Sequence, residues 1–175
     1  MHRTVAFAVL AISGCLVLGG CAAPQSESVQ PAFAMGERAP AIPFVYTVMD
    51  TEWLDQLGEA PAQRLPEHRF LAIRLTVTNG GVATTAVPLM TLLDSQNRSY
   101  PELTDAPGLD EWLGFVRMLP PAETERGRVL FDVPTGAYRL RVTNGDPDNP
   151  NFALVDIPVQ FGPADDIRPG HDATK

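Results

Sequence analysis

The sequence has only one lysine, Lys175, and two cysteines, Cys15 and Cys21, in 175 residues. Its 13 basic side chains face 21 acidic ones, for a formal charge of −8. Nucleic-acid binding draws on clustered Lys and Arg that displace counterions from phosphates, so a nucleic-acid partner is excluded. Two cysteines are too few for a disulfide-dense scaffold. Long apolar runs are also missing: the stretch from Val5 to Leu18 has fourteen residues, where a membrane-spanning helix needs about 20. No P-loop, G-x-G-x-x-G or G-x-S-x-G pattern occurs, and no histidine pair has metal-ligand spacing. The chain therefore carries no enzyme fingerprint and reads as a non-enzyme without cofactor. What it does have is 45% hydrophobic and 19% charged residues, a balance that supports a packed core.

The short apolar run has a role of its own. Met1-His2-Arg3 gives it a positive start, and its length is that of a signal-peptide core. It ends in Leu18-Gly19-Gly20-Cys21, which resembles a bacterial lipoprotein signal: a branched apolar residue, two small residues that admit the peptidase, then the cysteine whose thiol takes the lipid. Ile12-Ser13-Gly14-Cys15 has the same spacing, but cleavage there leaves a ten-residue core and strands Leu16-Val17-Leu18 in the mature chain. An ordinary secreted protein cleaved near Ala22-Ala23 is the other alternative. The resemblance implies that Cys21 carries a thioether-linked diacylglycerol, usually with a further acyl chain, and two or more chains hold a protein stably on a membrane. In a Gram-negative cell, Ala22 in place of the aspartate that retains lipoproteins at the inner membrane favours the outer membrane. With Cys15 removed and Cys21 modified, thiol catalysis, iron-sulfur ligation and thiolate metal sites drop out.

The chain divides into four parts. Residues 1–20 form the signal, and 21–36, small, polar and broken by proline, form a lipidated N-terminus and flexible tether. Residues 37–162 form the folded unit, in which ten arginines and seventeen carboxylates leave −7. Residues 163–175 are a polar tail. Within the unit the dominant signal is alternation. In Arg69 to Asn79, Leu71, Ile73, Leu75 and Val77 share one face while Arg74, Thr76 and Thr78 share the other. Similar runs occur at 44–48, 87–94, 113–119, 128–133, 138–142 and 152–161. Seven strands separated by turn residues predict an all-β fold, a single antiparallel β-sandwich. Helix is expected only at Thr51 to Leu57, with Thr51 as cap, and at Leu109 to Trp112.

The order of four segments is similar to a family of bacterial extracellular domains of unknown function. These are Met35-Gly36-Glu37 leading to Tyr46-Thr47-Val48, the Phe70 to Ile73 strand ending in Val77-Thr78-Asn79-Gly80, Leu92-Leu93-Asp94 before Tyr100, and Leu119 to Glu123 leading to Gly127 to Pro134. The resemblance implies an immunoglobulin-like, telokin-like sandwich behind a lipoprotein or membrane anchor, and it implies no catalytic residues. This chain departs from the family at Ala122, where glycine is usual after proline, and in the long Thr51 to Glu67 loop.

Other candidate chemistry is sparse. His68 and His171 stand apart and read as surface histidines. Asp146 to Asn151 offers clustered oxygens of the kind calcium takes, but it lacks the EF-hand pattern and reads as an acidic turn. Met35, Met49, Met90 and Met118 are too scattered for a soft copper site and suit gap-filling. Trp53-Leu54 and Trp112-Leu113 are the candidate partner surface, with edge-covering as the alternative role. The expected function is a lipid-anchored, extracytoplasmic interaction or structural module of the cell envelope. It is bound to the membrane through Cys21 and free to meet an envelope protein. The alternative is a periplasmic small-ligand or metal-binding lipoprotein using the 51–67 loop or the 144–151 turn.

Overall fold

A computed structural model of the chain describes residues 32–159. Cys15, Cys21, His171, the signal and the C-terminal tail lie outside the described residues. Ten strands form: β1 (Ala39–Ala41), β2 (Phe44–Leu54), β3 (Phe70–Asn79), β4 (Thr85–Ala86), β5 (Thr91–Leu93), β6 (Ser99–Pro101), β7 (Met118–Leu119), β8 (Thr124–Asp132), β9 (Tyr138–Thr143) and β10 (Phe152–Ile157). One sheet runs β1-β2-β3-β8 and the other β10-β9-β5-β6, with every strand pair antiparallel. A small β4-β7 pair completes the set. The fold is an all-β antiparallel sandwich.

The alternation read from β3 holds. Leu71, Ile73, Leu75 and Val77 are buried in the main core with Phe44, Tyr46, Val48, Val129, Phe131, Leu140, Val142 and Val155. Phe70 and Ala72 point to the opposite face, where with Leu130 they meet Leu57, Ala106 and Leu109 in a second, smaller core. Segment 103–113 thus lies over one end of the first sheet as a cover. It is tied down by Leu103 N–H donating to Leu130 O at 2.8 Å, Arg128 N–H to Glu111 O at 2.7 Å and Leu113 N–H to Arg128 O at 3.0 Å. Gly127 permits this approach, because a Cβ there would meet Glu111 O at 2.6 Å.

Neither expected helix forms. Thr51 to Leu54 continues β2, because its register against β3 shifts between Val48 and Asp50. One extra residue in a strand reverses the sense of its alternation. Phe44, Tyr46 and Val48 face inward before the bulge, and Trp53 faces inward after it. The broken alternation imitates a helical spacing, and pairing with β3 overrides it. Leu109 to Trp112 is a turn whose Leu109 and Trp112 cover the second core. Strand 152–161 ends at Ile157, with residues 160 and 161 outside the described ones, and two other expected strands shrink further. Only 91–93 of 87–94 and 118–119 of 113–119 are extended in a sheet, the first because Pro88 withholds a ladder donor.

The N-terminal boundary moves outward too. Phe33 joins the edge of β10 in parallel: its N–H donates to Leu154 O and its C=O accepts from Asp156 N–H, both at 2.8 Å. Phe33 and Met35 pack on the main core, so residues 33–36, expected in the tether, belong to the sandwich. Tyr138 closes a corner of the fold: its hydroxyl donates to Pro134 O, and its ring meets Tyr100 edge-on at 5.8 Å. Burial pushes its phenol up to about 12.

Candidate functional site

The tryptophans do not make the expected partner surface. Trp53 packs against the main core, with the Arg69 guanidinium 5.9 Å from its ring centre. Leu54 and Trp112 pack on the second core, and Leu113 is buried in the first. All four side chains cover or fill core edges, because the bulge and the 103–113 cover turn them inward.

Apolar exposure lies instead just beyond, in the segment leading into β7. Phe115 is 53% exposed, Val116 75% and Met118 55%. Their neighbours hold them there. Arg117, the residue between them, is turned inward with no side-chain exposure. Its Nε donates to Gly114 O at 2.7 Å, and its carbonyl accepts from Val87 N–H at 2.8 Å. Its Nη2 donates to Glu102 Oε1, and Glu102 Oε2 accepts the Met90 N–H at 2.9 Å. Glu102 is as fully enclosed as its partner. Leu119 is buried beside Thr85 in the β4-β7 pair. With Arg117 and Leu119 committed to the interior, Met118 lies on the open face, and Gly114, at φ 79°, sets the turn that sends Phe115 and Val116 outward.

Burial pushes the Glu102 carboxyl above its ordinary value, against the opposing pull of Arg117 and of the Met90 amide. The Tyr46 phenol feels both charges, and burial raises it far above its usual value; its hydroxyl donates to Thr143 O at 3.0 Å. Arg117 Nη1 has no acceptor among the described residues. A charge pair taken wholly out of water is expensive to break from one side. It therefore fixes both ends of the 103–116 segment, whose first part is the cover and whose end carries Phe115 and Val116. The sequence hid this pair, because Arg117 in Phe115-Val116-Arg117-Met118-Leu119 reads as the polar residue of an alternating strand.

The alternative sites are otherwise occupied. In the 144–151 turn, Asp146 Oδ1 accepts the N–H groups of Asp148 and Asn149 at 2.9 and 3.2 Å. Asn144 Oδ1 accepts those of Asp146 and Asn151 at 3.2 and 3.1 Å. These oxygens satisfy the turn's own backbone. A shallow depression of about 450 Å³ beside them is lined by Thr85, Ala86, Pro88, Asn144, Gly145 and Asp146. The 51–67 loop spends Leu57 on the second core and closes with a Leu57–Arg64 bridge. His68 is exposed near Asp132, and Met35, Met49, Met90 and Met118 are spread between core and surface. Among the described residues no group of three His, Cys, Asp or Glu side chains is placed to hold a metal ion.

The match to known proteins covers this whole architecture. The model of the domain of unknown function DUF4352 matches residues 33–153, from the Phe33 edge strand into β10. The chain belongs to the DUF4352 family. No curated protein matches it in sequence. Among solved structures, the yjhA protein of Bacillus subtilis superposes with a TM-score of 0.56 at 16% identity, covering 71% of this chain and 98% of that one. The Bacillus subtilis protein ycdA, a candidate lipoprotein, gives 0.56 at 16% identity over 70% of this chain and 38% of its own. MPT63, a secreted protein of Mycobacterium tuberculosis, gives 0.51 at 18% identity over 75% and 98%. At such identities the likeness is one of fold. Nothing in the family or these neighbours indicates catalysis.

Proposed function

We propose that this DUF4352 protein is a lipid-anchored, extracytoplasmic interaction module without catalytic activity. It is held to the membrane through Cys21 and meets an envelope protein through Phe115, Val116 and Met118. The carrying observation is the apolar triplet itself, three large side chains held out of the core by a buried ion pair. Fully burying each would contribute about 1.5–3 kcal/mol, enough to anchor an interface if a partner supplies the pocket. The Leu18 to Cys21 signal supports the anchor, and the candidate lipoprotein and secreted neighbours agree with a place outside the cytoplasm. An outer-membrane location follows from Ala22 if the cell is Gram-negative.

The test places a photo-crosslinking residue at Val116 in the full chain expressed in its own envelope, with the same residue at Ser95 as control. The proposal expects one discrete adduct from position 116, lost in a Phe115→Asp background that keeps the melting temperature. Adducts of equal pattern from both positions, or survival of the adduct in Phe115→Asp, would refute it. Intact mass of the mature N-terminus checks the lipid on Cys21 separately.

A further inference from the structure

The apolar triplet is not the only exposed apolar ground. Val82 is 99% and Ile42 69% exposed, and both sit at one end of the sandwich. Gly80 N–H donates to Pro43 O at 2.9 Å, and Gly81 lies so close that a Cβ on it would come within 3.0 Å of the Pro43 side chain. The turn carrying Ile42 and Pro43 and the turn carrying Val82 therefore form one continuous tip. Ile42 N–H donates to Asn151 Oδ1 at 2.9 Å, which puts the tip beside the start of β10.

The chain reaches the domain on that side. Phe33 pairs in parallel with Val155, so Ala32, the first described residue, lies on the Phe152 side of it. Twelve peptide steps separate Cys21 from Phe33 and span at most about 40 Å. On the reading that Cys21 carries lipid, Phe33 lies at most about 40 Å from the anchoring leaflet, and the tip stands at the end of β10 toward which Ala32 points. The triplet at 115–118 follows the 111–113 segment bound to β8, and its Met118 end approaches the tip, because Asn79 Nδ2 donates to both Ala83 O and Leu119 O at 2.8 Å.

We infer that the Ile42-Pro43-Val82 tip rests on the leaflet that holds the Cys21 lipid. The bilayer is its partner. Tethering raises the effective concentration of the tip at the surface, so a contact of a few side chains suffices. Asp146 and Asp148, in the turn that Asn151 closes beside the tip, and Glu123, hydrogen-bonded to Asn79, repel anionic headgroups. The favoured surface is therefore zwitterionic.

This rests on the anchor reading, and the experiment separates the two. The mature lipidated chain has no free thiol, so Val82→Cys, Leu65→Cys and Val116→Cys can each take an environment-sensitive fluorophore. Each labelled protein is reconstituted into phosphatidylcholine vesicles carrying bromine in the acyl chains. The inference expects strong quenching at position 82, little at 65 or 116, and a loss of quenching at 82 as phosphatidylglycerol is added. Flotation with the vesicles but no quenching at 82, or equal quenching at 65, overturns the inference and leaves the anchor standing. A chain that does not float and whose Cys21 bears no lipid overturns both.

Discussion

Glu102 and Arg117 show how a single pair of side chains can govern a sixteen-residue stretch. Removing one partner strands the other charge in the core, so Arg117→Met is expected to cost about 3–5 kcal/mol in denaturant unfolding. Replacing both with apolar residues of similar volume recovers most of that loss. Because burial raises the folded-state pKa of Glu102 above its ordinary value, the folded chain binds its proton more tightly than the unfolded chain. The stability this adds is full below that ordinary value and fades as pH rises through the folded one. Glu102→Gln should therefore flatten that part of a stability-pH curve. Asp94 has the opposite sign. Burial alone would raise it, but hydrogen bonds from the Arg98 amide and guanidinium and the Gln96 amide hold it low. Its contribution is present above its ordinary value and fades as pH falls through the lowered one. Ala122 stands at φ 61°, a left-handed conformation that costs an L-residue about 1–2 kcal/mol. Ala122→Gly, which removes that cost, should raise the melting temperature.

At the scale of elements, the bulge in β2 decides which way Trp53 faces. Deleting Met49 removes the extra residue and leaves Asp50 to Leu54 in register with Arg74 to Phe70, so Trp53 keeps its place against the core. The expected result is an unshifted tryptophan emission, and a red shift would show that the pairing beyond the bulge had slipped. Gly127→Ala forces a Cβ against the Glu111 carbonyl and Leu113. Overpacking of this kind typically costs about 1–3 kcal/mol. It should appear as faster hydrogen exchange at the Leu103, Leu113 and Arg128 amides, with β9 and β10 unchanged. The strands that obey period two, β3 and β9 above all, were legible in the sequence. The bulge was not, because one inserted residue changes the parity of every later position in the strand and imitates a short helix. The cover over the second core was hidden for another reason: Ala106, Leu109 and Trp112 recur every third residue, a spacing that imitates a helix, and their common target, Phe70 and Ala72, lies on the face of β3 that alternation assigns to solvent.

For the molecule as a whole, the all-β sandwich could be read from patterning, whereas the exposed apolar surface could not. Tryptophan is a natural guess for an interface, yet a large ring is also the best filler for an open core edge, and here both rings serve that use. The side chains left outside are set by long-range pairing: Arg117 reaching Glu102, and Leu119 reaching Thr85. Val116→Asp should leave the unfolding midpoint within about 0.5 kcal/mol of the parent while abolishing the envelope crosslink.

Phe33 has a protective effect as well as a positional one. Unpaired strand edges invite other chains to pair with them, and this sandwich leaves little edge to offer. β1 and β6 have three residues each, and β8 is met by Glu111 and Leu113 around Arg128. On β10 the only main-chain cover comes from Phe33, among the described residues. A chain shortened to begin at Met35 would keep its core and lose that guard, presenting Leu154 O and Asp156 N–H to the next molecule. Self-association through β10 is the failure to watch for when the chain is cut back past Phe33.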